Sequence, residues 1–251
     1  MAFSTLNFKY NSSMGRNNTG KITSRFLGGG VKKLYRKIDF KYSNYSLNSN
    51  LAILISKHYD PYRNTYIGLI KNLNGKIIGL NNYILLPDNL QEGDLIFINF
   101  KLENKPGTSK ALKYWAIGNI LCNIEFKPFQ GGKIARAAGT NWILLNLDKK
   151  YALLKMPSGE ERLISNKWYA TIGTINFKNK PGKLFKAGQK RNLNKRPHVR
   201  GVAMNAFDHP HGGGEGRSRI GKKNIYSPWK KVSLNKKVIK SKYIILRRKN
   251  K

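Results

Sequence analysis

Two histidines, two carboxylates and a run of glycines are concentrated in one segment of the sequence, RGVAMNAFDHPHGGGEGR, at residues 200–217. The groups suited to metal binding, acid–base chemistry or nucleic-acid recognition belong to Asp208, His209, His211 and Glu215. Glycine weakens helices and strands, so the run Gly212, Gly213 and Gly214 indicates close backbone approach or positive φ angles. The segment predicts a binding site for a partner that the rest of the chain must identify.

A metal site here would use His209-x-His211 with a neighbouring carboxylate, and it would need at least one more fixed ligand. The other histidines, His58 and His198, are distant in sequence and have no ligand spacing, so we expect no dedicated metal site. The glycines lack the Lys-Ser or Lys-Thr of a phosphate loop, and no G-x-S-x-G is present. An RNA-processing or RNA-modifying enzyme using His209, His211 and Asp208 remains the alternative function.

The composition indicates a polyanionic partner. The chain has 251 residues, with 48 Lys and Arg against 12 Asp and Glu, and a formal net charge of +36. Nucleic acid is the favoured partner because neutralising its phosphates releases counterions and relieves the self-repulsion of the protein. An anionic membrane surface is the main rival, but no apolar run approaches the ~20 residues that span a bilayer.

The single cysteine, Cys122, excludes an intramolecular disulfide and any multi-cysteine zinc site. The N-terminal residues, MAFSTLNFKYNSS, show neither a secretory signal nor an Arg-rich import presequence. The chain is also rich in Asn, Lys, Ile, Tyr and Phe, a bias typical of an AT-rich gene. A gene kept inside an organelle would account for both features.

Residues 1–37 form a basic N-terminal arm in which glycine, asparagine and threonine alternate with cations and no helix or strand period is present. Such an arm is either a disordered tail or a segment that becomes ordered on RNA, and the net charge favours the second. The predicted RNA contacts of the arm are Arg16, Lys21, Arg25, Lys32, Lys33 and Arg36.

Residues 38–108 have the pattern of a small β-barrel. The expected strands are 51–56, 66–71, 76–80, 83–86 and 95–100. The pair Asn74-Gly75 predicts a two-residue hairpin turn between two of them. An OB-type barrel has the right size, although strand count alone does not separate it from other five-stranded barrels.

Residues 109–175 predict a second small barrel, SH3-like in size. Its expected strands are 116–120, 123–126, 142–147, 151–156, 162–165 and 168–172. A glycine-rich loop between the second and third of these strands carries Lys133 and Arg136, which small neighbours would allow to approach phosphates. Trp142, Trp168 and Tyr169 are expected to pack in the protein, because aromatic residues in strands usually do.

Residues 176–251 form an extended basic region with a short helix expected within 184–194. It cannot bury enough apolar surface to fold alone. The histidines could stack on bases or donate to RNA oxygens; Asp208 and Glu215 could pair with Arg200 or Arg217, or reach RNA through a hydrated Mg²⁺. The predicted RNA contacts are Lys190, Arg191, Lys195, Arg196, Arg200, Met204, Asn205, His209, His211, Gly212, Gly213, Gly214, Arg217, Trp229, Arg247 and Arg248.

The segment GVAMNAFDHPHGGGEGR closely resembles the signature of universal ribosomal protein two of the large subunit, G-x-A-M-N-P-V-D-H-P-H-G-G-G-E-G-R. Ala206 and Phe207 stand where the family has Pro-Val, Cys122 where His is frequent, and Phe129 where Gly is frequent. Further stretches agree, namely GRNNTGKITSRFLGGG, YDPYRN, IEFKPFQGGKIARAAGT, SPWK and ILRRK. The resemblance covers nearly the whole chain.

The resemblance implies a mainly β protein with an OB-fold barrel, then an SH3-like barrel, and basic tails that penetrate large-subunit rRNA. It implies a structural role and no enzyme activity, with neighbouring ribosomal proteins, the small subunit across an intersubunit bridge, and nearby tRNA sites as partners. The loop would approach the peptidyl-transferase region. No cofactor is implied beyond structural Mg²⁺ held mainly by rRNA. Together with the composition, it predicts a mitochondrial rather than a plastid ribosome.

Overall fold

The computed structural model describes residues 6–42, 50–74, 78–127, 130–177, 184–233 and 242–247. Contacts within the chain group these residues into two compact units. The first, here the barrel unit, holds the described parts of 6–10, 33–177 and 242–247. The second, here the tail unit, holds 11–32 and 184–233. Arg248, a predicted contact, lies outside the described residues.

Strands dominate the described chain. The strands are β1 (Asn7–Lys9), β2 (Leu34–Arg36), β3 (Asn50–Asp60), β4 (Thr65–Asn72), β5 (Asn81–Leu85), β6 (Leu95–Ile98), β7 (Ser109–Ala111), β8 (Ile120–Cys122), β9 (Ile124–Glu125), β10 (Gly132–Ile134), β11 (Trp142–Leu147), β12 (Tyr151–Lys155), β13 (Glu161–Ser165), β14 (Tyr169–Ile172) and β15 (Ile244–Leu246). Eleven of them form one sheet in the order β15-β13-β12-β11-β8-β14-β7-β6-β3-β4-β5.

The first barrel is built around the long strand β3, which pairs with β4 along most of its length and with β6 through Asn50–Ile53. The register of β3 against β4 shifts between Leu54 and Ser56. Such a bulge bends a strand and increases its twist, which lets one strand serve both sides of a barrel. Ile98 of β6 then pairs in parallel with Ser109 of β7, so the first barrel leads directly into the second.

The two-residue hairpin predicted at Asn74-Gly75 is not what joins β4 to β5. β4 ends at Asn72 and β5 begins at Asn81, and residues 78–80, predicted as strand, form a turn. Residues 75–77 lie outside the described residues. The side chain of Asn74 accepts a hydrogen bond from the Leu51 N–H, and the Asn72 N–H donates to the carbonyl of Leu80 at 3.3 Å. Asn74 therefore ties the loop to β3 instead of forming a tight turn.

β4 and β5 are buried on both faces, which explains their nearly continuous apolar sequence. One face packs inside the barrel through Ile70 and Ile84. The other packs through Ile67 and Leu85 against residues that include Cys122 from the second barrel. Burial raises the pKa of the Cys122 thiol, so this cysteine is a packed apolar group and not a reactive one.

The second barrel has its own core, in which Trp115, Leu121, Trp142, Leu144 and Leu154 are among the buried residues. The expected packing of Trp142 is confirmed, and Trp168 lies half-buried against the same core. Three strand positions differ from expectation, the first being β7, which was not predicted. Residues 116–119 form turns before β8, and the short strand β10 lies within the glycine-rich loop, which was predicted to have none.

The mainly β architecture of an OB-fold barrel followed by an SH3-like barrel is confirmed. In the tail unit, α1 (Ala187–Asn192) is the short helix expected there. Among the described residues, none of the helices has the length and hydropathy needed to cross a bilayer.

Candidate nucleic-acid interface

Residues 200–217, here the glycine-histidine loop, fold onto themselves. A 3₁₀ turn at Gly201–Ala203 begins the loop. The Gly213 N–H donates to the Met204 carbonyl at 3.0 Å, and the Gly212 N–H donates to the His209 carbonyl at 2.8 Å. These bonds bring the glycines back beside the start of the segment, so the loop has a defined shape of its own.

Both histidines are buried inside this loop. The His211 N–H donates to Nδ1 of His209 at 3.0 Å, and the Tyr226 N–H donates to Nε2 of His211 at 2.9 Å. A backbone N–H can only donate, so each of these ring nitrogens accepts, and the proton of each neutral ring lies on the other nitrogen. The histidines therefore brace the loop. Their direct contact with RNA stays a prediction.

The pKa of His209 is lowered from its ordinary 6.5 by burial, then by electrostatic repulsion from His211 when that ring is protonated, and then by the positive charge of Arg25. A lowered pKa favours the neutral ring in the folded protein, so the bond from His211 stabilises the loop above about pH 6.5 and is lost as the pH falls through the lowered pKa. In an NMR titration, we expect the chemical shifts of the His209 ring to change with a midpoint below pH 6.5. The midpoint measured in the urea-unfolded chain is the reference. A midpoint at or above the unfolded value would contradict the acceptor role of Nδ1.

The glycines are required first by the loop itself. A Cβ at Gly212 would overlap the Asn205 carbonyl, and a Cβ at Gly201 would overlap the His209 ring. Gly213 and Gly214 have φ angles of +82° and +109°, which side chains rarely adopt. The close backbone approach predicted from the sequence is thus confirmed at Gly212, where the neighbour is the protein's own backbone.

The two acids of the loop are exposed and do not pair with Arg200 or Arg217. The ion pair found among the described residues is Asp60–Arg63, in the barrel unit. The pairing alternative for Asp208 and Glu215 therefore finds no support in the described part of the chain, and contact through a hydrated Mg²⁺ stays a prediction.

Phe207 is 98% exposed. It stood out in the sequence only as a departure from a family pattern, and it was not among the predicted contacts. A single exposed ring is common on protein surfaces, but at a nucleic-acid interface it is also a platform on which an unpaired base can stack. Its position beside the exposed Asn205 and Asp208 makes it a further candidate for contact with a nucleic-acid base.

The N-terminal arm packs against the segment that follows α1. The Gly28 N–H donates to the Asn194 carbonyl at 3.3 Å, and the Arg196 N–H donates to the Phe26 carbonyl at 2.8 Å. A Cβ at Gly30 would lie 2.6 Å from the Asn192 carbonyl oxygen. The arm glycines thus allow this backbone contact, which leaves Arg16, Lys21, Arg25 and Lys32 exposed.

The fold gathers predicted contacts from three distant parts of the sequence at one cavity of the tail unit, about 420 Å³ in volume. We call it the arm cavity. Its lining is Thr23, Ser24, Arg25, Phe26, Arg196, Pro197, His198, Val199, Met204, Pro228 and Trp229. The lining holds cations and aromatic rings and no carboxylate, and the Trp229 ring is 51% exposed. These are the groups that hold phosphates and stack bases.

The remaining predicted contacts divide between the units. Lys190, Arg191, Lys195, Arg200 and Arg217 are exposed in the tail unit. The barrel unit holds Lys33, Arg36, Lys133, Arg136 and Arg247.

A second cationic cluster lies in the barrel unit. The guanidinium carbon of Arg136 lies 4.5 Å from the centre of the Phe40 ring, and that of Arg63 lies 5.5 Å from the same ring. Burial and then the charge of Arg63 lower the pKa of Arg136. Asp60 neutralises only one of these two cations, so the cluster favours an anion such as a phosphate. Arg63 was not among the predicted contacts, although the stretch YDPYRN contains it.

Comparison with known proteins agrees with these features. The family model described as "Ribosomal Proteins L2, RNA binding N-terminal domain" matches residues 4–98, and "Ribosomal Proteins L2, C-terminal domain" matches residues 105–230. The large ribosomal subunit protein uL2c of Euglena longa is 43% identical over 251 residues, which cover 97% of this chain and 88% of the relative.

Two further relatives extend the comparison. The uL2c protein of Psilotum nudum is 44% identical over 233 residues, with 92% of this chain and 82% of the relative covered. The uL2 protein of Parvibaculum lavamentivorans is 44% identical over 226 residues, with 90% of this chain and 78% of the relative covered. Two barrels, a basic tail unit and matches along nearly the whole chain lead to one conclusion: the chain belongs to the ribosomal protein L2 family of the large subunit.

Proposed function

We propose that the protein anchors itself in large-subunit rRNA through its tail unit. This anchoring positions the glycine-histidine loop at the peptidyl-transferase region and the tRNA sites. The protein also supports association of the two subunits. The general role is that of its family, a structural, RNA-binding constituent of the large ribosomal subunit and not an enzyme. The RNA-processing alternative finds no support in that family.

The arm cavity is the observation that carries the anchoring role. Arg25 comes from the N-terminal arm, Arg196 from the segment after α1, and Trp229 from the last part of the tail unit. The fold thus places two cations and an exposed indole from three separate segments at one cavity, an arrangement that suits a nucleic-acid strand. Phosphate contacts would fix the register of the rRNA, and the indole would stack on a base.

The positioning role rests on the way the loop is built. The bonds through His209 and His211 give the loop a fixed shape, and they leave Phe207, Asp208 and Glu215 on its outer surface. A preformed loop can place groups against folded RNA without the entropy cost of ordering on binding. We assign it the tRNA-site neighbourhood because the segment is the part of the family signature expected there.

The two exposed acids need a cation if they face RNA, because carboxylates and phosphates repel each other. A hydrated Mg²⁺ held mainly by rRNA could bridge Asp208 or Glu215 to phosphate oxygens, since this ion keeps several of its waters and prefers oxygen ligands. The measurement is the Mg²⁺ dependence of rRNA binding by the chain and by a variant carrying Asp208→Asn and Glu215→Gln. An unchanged Mg²⁺ dependence would exclude the bridge.

We propose the mitochondrial ribosome as the site of action. Relatives include chloroplast-type uL2c and bacterial uL2 proteins, which supports an organellar ribosome. The Asn-, Lys- and Ile-rich composition supports an organelle-encoded gene. Mass spectrometry of gradient-purified mitochondrial and plastid ribosomes from the source cells would decide between the two organelles.

Charge removal at the arm cavity should weaken rRNA binding beyond the effect of net charge. For Arg25→Gln with Arg196→Gln, we expect the slope of log affinity against log salt to fall by about two, roughly one for each phosphate that is no longer neutralised. The assay is binding of the full chain to large-subunit rRNA over a salt series, with co-sedimentation on large subunits as a second readout.

The matched control is Lys71→Ala with Lys155→Ala, which removes two exposed strand lysines outside every predicted contact. Equal effects in both double variants would mean that net charge alone binds the RNA, and this would contradict the arm cavity as an anchor. A wild-type chain that runs free of large subunits in a low-salt gradient would contradict the ribosomal role as a whole.

A further inference from the structure

The second barrel contains a cavity of about 620 Å³ along strand β13, here called the β13 groove. Its lining is Phe126, Lys127, Lys149, Lys150, Tyr151, Arg162, Leu163, Ile164, Ser165, Asn166, Lys167, Trp168 and Tyr243. The volume falls within the range of about 300–1,000 Å³ that is usual for ligand pockets in proteins. Neither the anchoring role nor the loop uses this groove.

The groove exists because the edge of β13 is only partly covered. β15 pairs with β13 at Glu161 and Arg162, with a register shift between them, and the Leu163 N–H donates to the Tyr243 carbonyl at 2.8 Å. Among the described residues, no strand pairs with β13 on this side beyond Leu163. An open strand edge invites a partner unless charge or a bound ligand protects it.

Aromatic rings line the groove in two pairs. The centres of the Phe126 and Trp168 rings are 5.8 Å apart, and those of Tyr151 and Tyr243 are 6.1 Å apart. Phe126 is 39% exposed and Tyr151 is 37% exposed, so part of each ring is open to a ligand. Trp168 also packs against the barrel core. Exposed faces of this kind are platforms on which bases stack.

The charges that line the groove favour an anionic ligand. The lining carries five cations, Lys127, Lys149, Lys150, Arg162 and Lys167, and no carboxylate. The guanidinium carbon of Arg162 lies 5.7 Å from the centre of the Phe126 ring, within cation–π range. A basic peptide is repelled by this lining, whereas a phosphate chain with an exposed base satisfies both the cations and the rings.

We propose that the β13 groove binds an unpaired RNA nucleotide, with its base stacked on Phe126 or Tyr151 and the flanking phosphates held by the lining cations. The proposal rests on the RNA-binding function of the protein and adds a site in the second barrel to the tail-unit anchor. A base inserted here would fix the barrel to a bulge or loop of rRNA, because paired bases cannot reach an aromatic face in a pocket.

The test uses the full chain and a short single-stranded RNA that carries 2-aminopurine at its centre, with the matching duplex for comparison. At high salt the phosphate contribution is weakened and stacking remains. For Phe126→Leu with Tyr151→Leu, which keeps apolar volume and removes the ring faces, we expect single-strand affinity to fall by about 5-fold or more and the fluorescence quenching of 2-aminopurine to disappear. Duplex binding should not change.

Tyr114→Leu is the control, since Tyr114 is an exposed tyrosine of the same barrel outside the groove. Unchanged quenching and affinity in the groove variant, with unaltered unfolding curves, would overturn the proposal while leaving the ribosomal role intact. Failure of the wild-type chain to bind large-subunit rRNA would instead contradict the ribosomal role. Tighter binding of a Glu-rich peptide than of RNA at the groove would overturn the choice of ligand.

Discussion

Replacing Asp60 by alanine is expected to lower the free energy of unfolding by about 3 kcal/mol, because it leaves a partly buried cation without its partner. Asp60 is fully buried at the end of β3, and its carboxylate accepts from Arg63 at 2.5 Å and from the Tyr62 N–H at 3.0 Å. Burial opposes the charge of Arg63, yet the bonds to Asp60 and Tyr35 raise the pKa of this arginine. Both halves of the pair therefore depend on each other.

The double variant Asp60→Asn with Arg63→Met separates this account from a simple loss of packing. Removing both charges leaves no uncompensated ion, so the double variant should lose less stability than the sum of Asp60→Asn and Arg63→Met measured singly. Urea unfolding followed by tryptophan fluorescence, in buffer with enough salt to keep the basic chain soluble, gives all three values. Additive losses would show that the pair is not coupled.

The same pair bears on RNA binding. Arg63 and Arg136 lie over the Phe40 ring, and Asp60 is the acid that holds Arg63 there. If this cluster binds a phosphate, Arg63→Met should reduce rRNA affinity even in molecules that remain folded. Arg63 would then contribute both to the stability of the turn after β3 and to RNA binding.

Much of the fold could be predicted because it follows from local pattern. Apolar runs bounded by turn residues located most strands, and strand count with chain length indicated two small barrels. The incorrect secondary-structure predictions lie where a tertiary contact overrides the local conformational preference of the residues. Asn74 bonds to β3 instead of forming a tight Asn-Gly turn, and β10 (Gly132–Ile134) is too short to show a strand period and forms because it pairs with the predicted strand β9.

The site was harder to predict than the fold for a physical reason. Residue types identified the glycine-histidine loop, but they could not show that His209 and His211 face inward as acceptors of backbone N–H groups. They also could not show that Gly28 and Gly30 lie against residues far away in sequence. Those neighbours depend on the chain path. The exposure of Phe207 and the presence of the β13 groove likewise depend on which side chains the fold buries, and sequence alone does not give this.

The second large effect is expected from a substitution in the glycine-histidine loop, and it concerns the activity of the ribosome and not the stability of the protein. His209→Ala removes the acceptor of the His211 N–H and the ring that fills the space beside Gly201. The tail-unit cations remain, so the variant should still enter large subunits. We expect peptidyl transfer by those subunits to fall by about 10-fold or more, because a displacement near ~1 Å at a reacting centre can have such an effect.

The companion variant is Gly212→Ala, whose added Cβ would overlap the Asn205 carbonyl and distort the same loop without removing a histidine. If the loop acts through its shape, as proposed, both variants should give the same defect, with weaker tRNA binding at unchanged large-subunit content. Reconstituted subunits assayed for occupancy, tRNA binding and peptidyl transfer distinguish the outcomes. A defect in His209→Ala alone would indicate a direct role for the imidazole. Exclusion of His209→Ala from the subunit would mean that the loop anchors the protein, and the division between an anchoring tail unit and a positioning loop would be wrong.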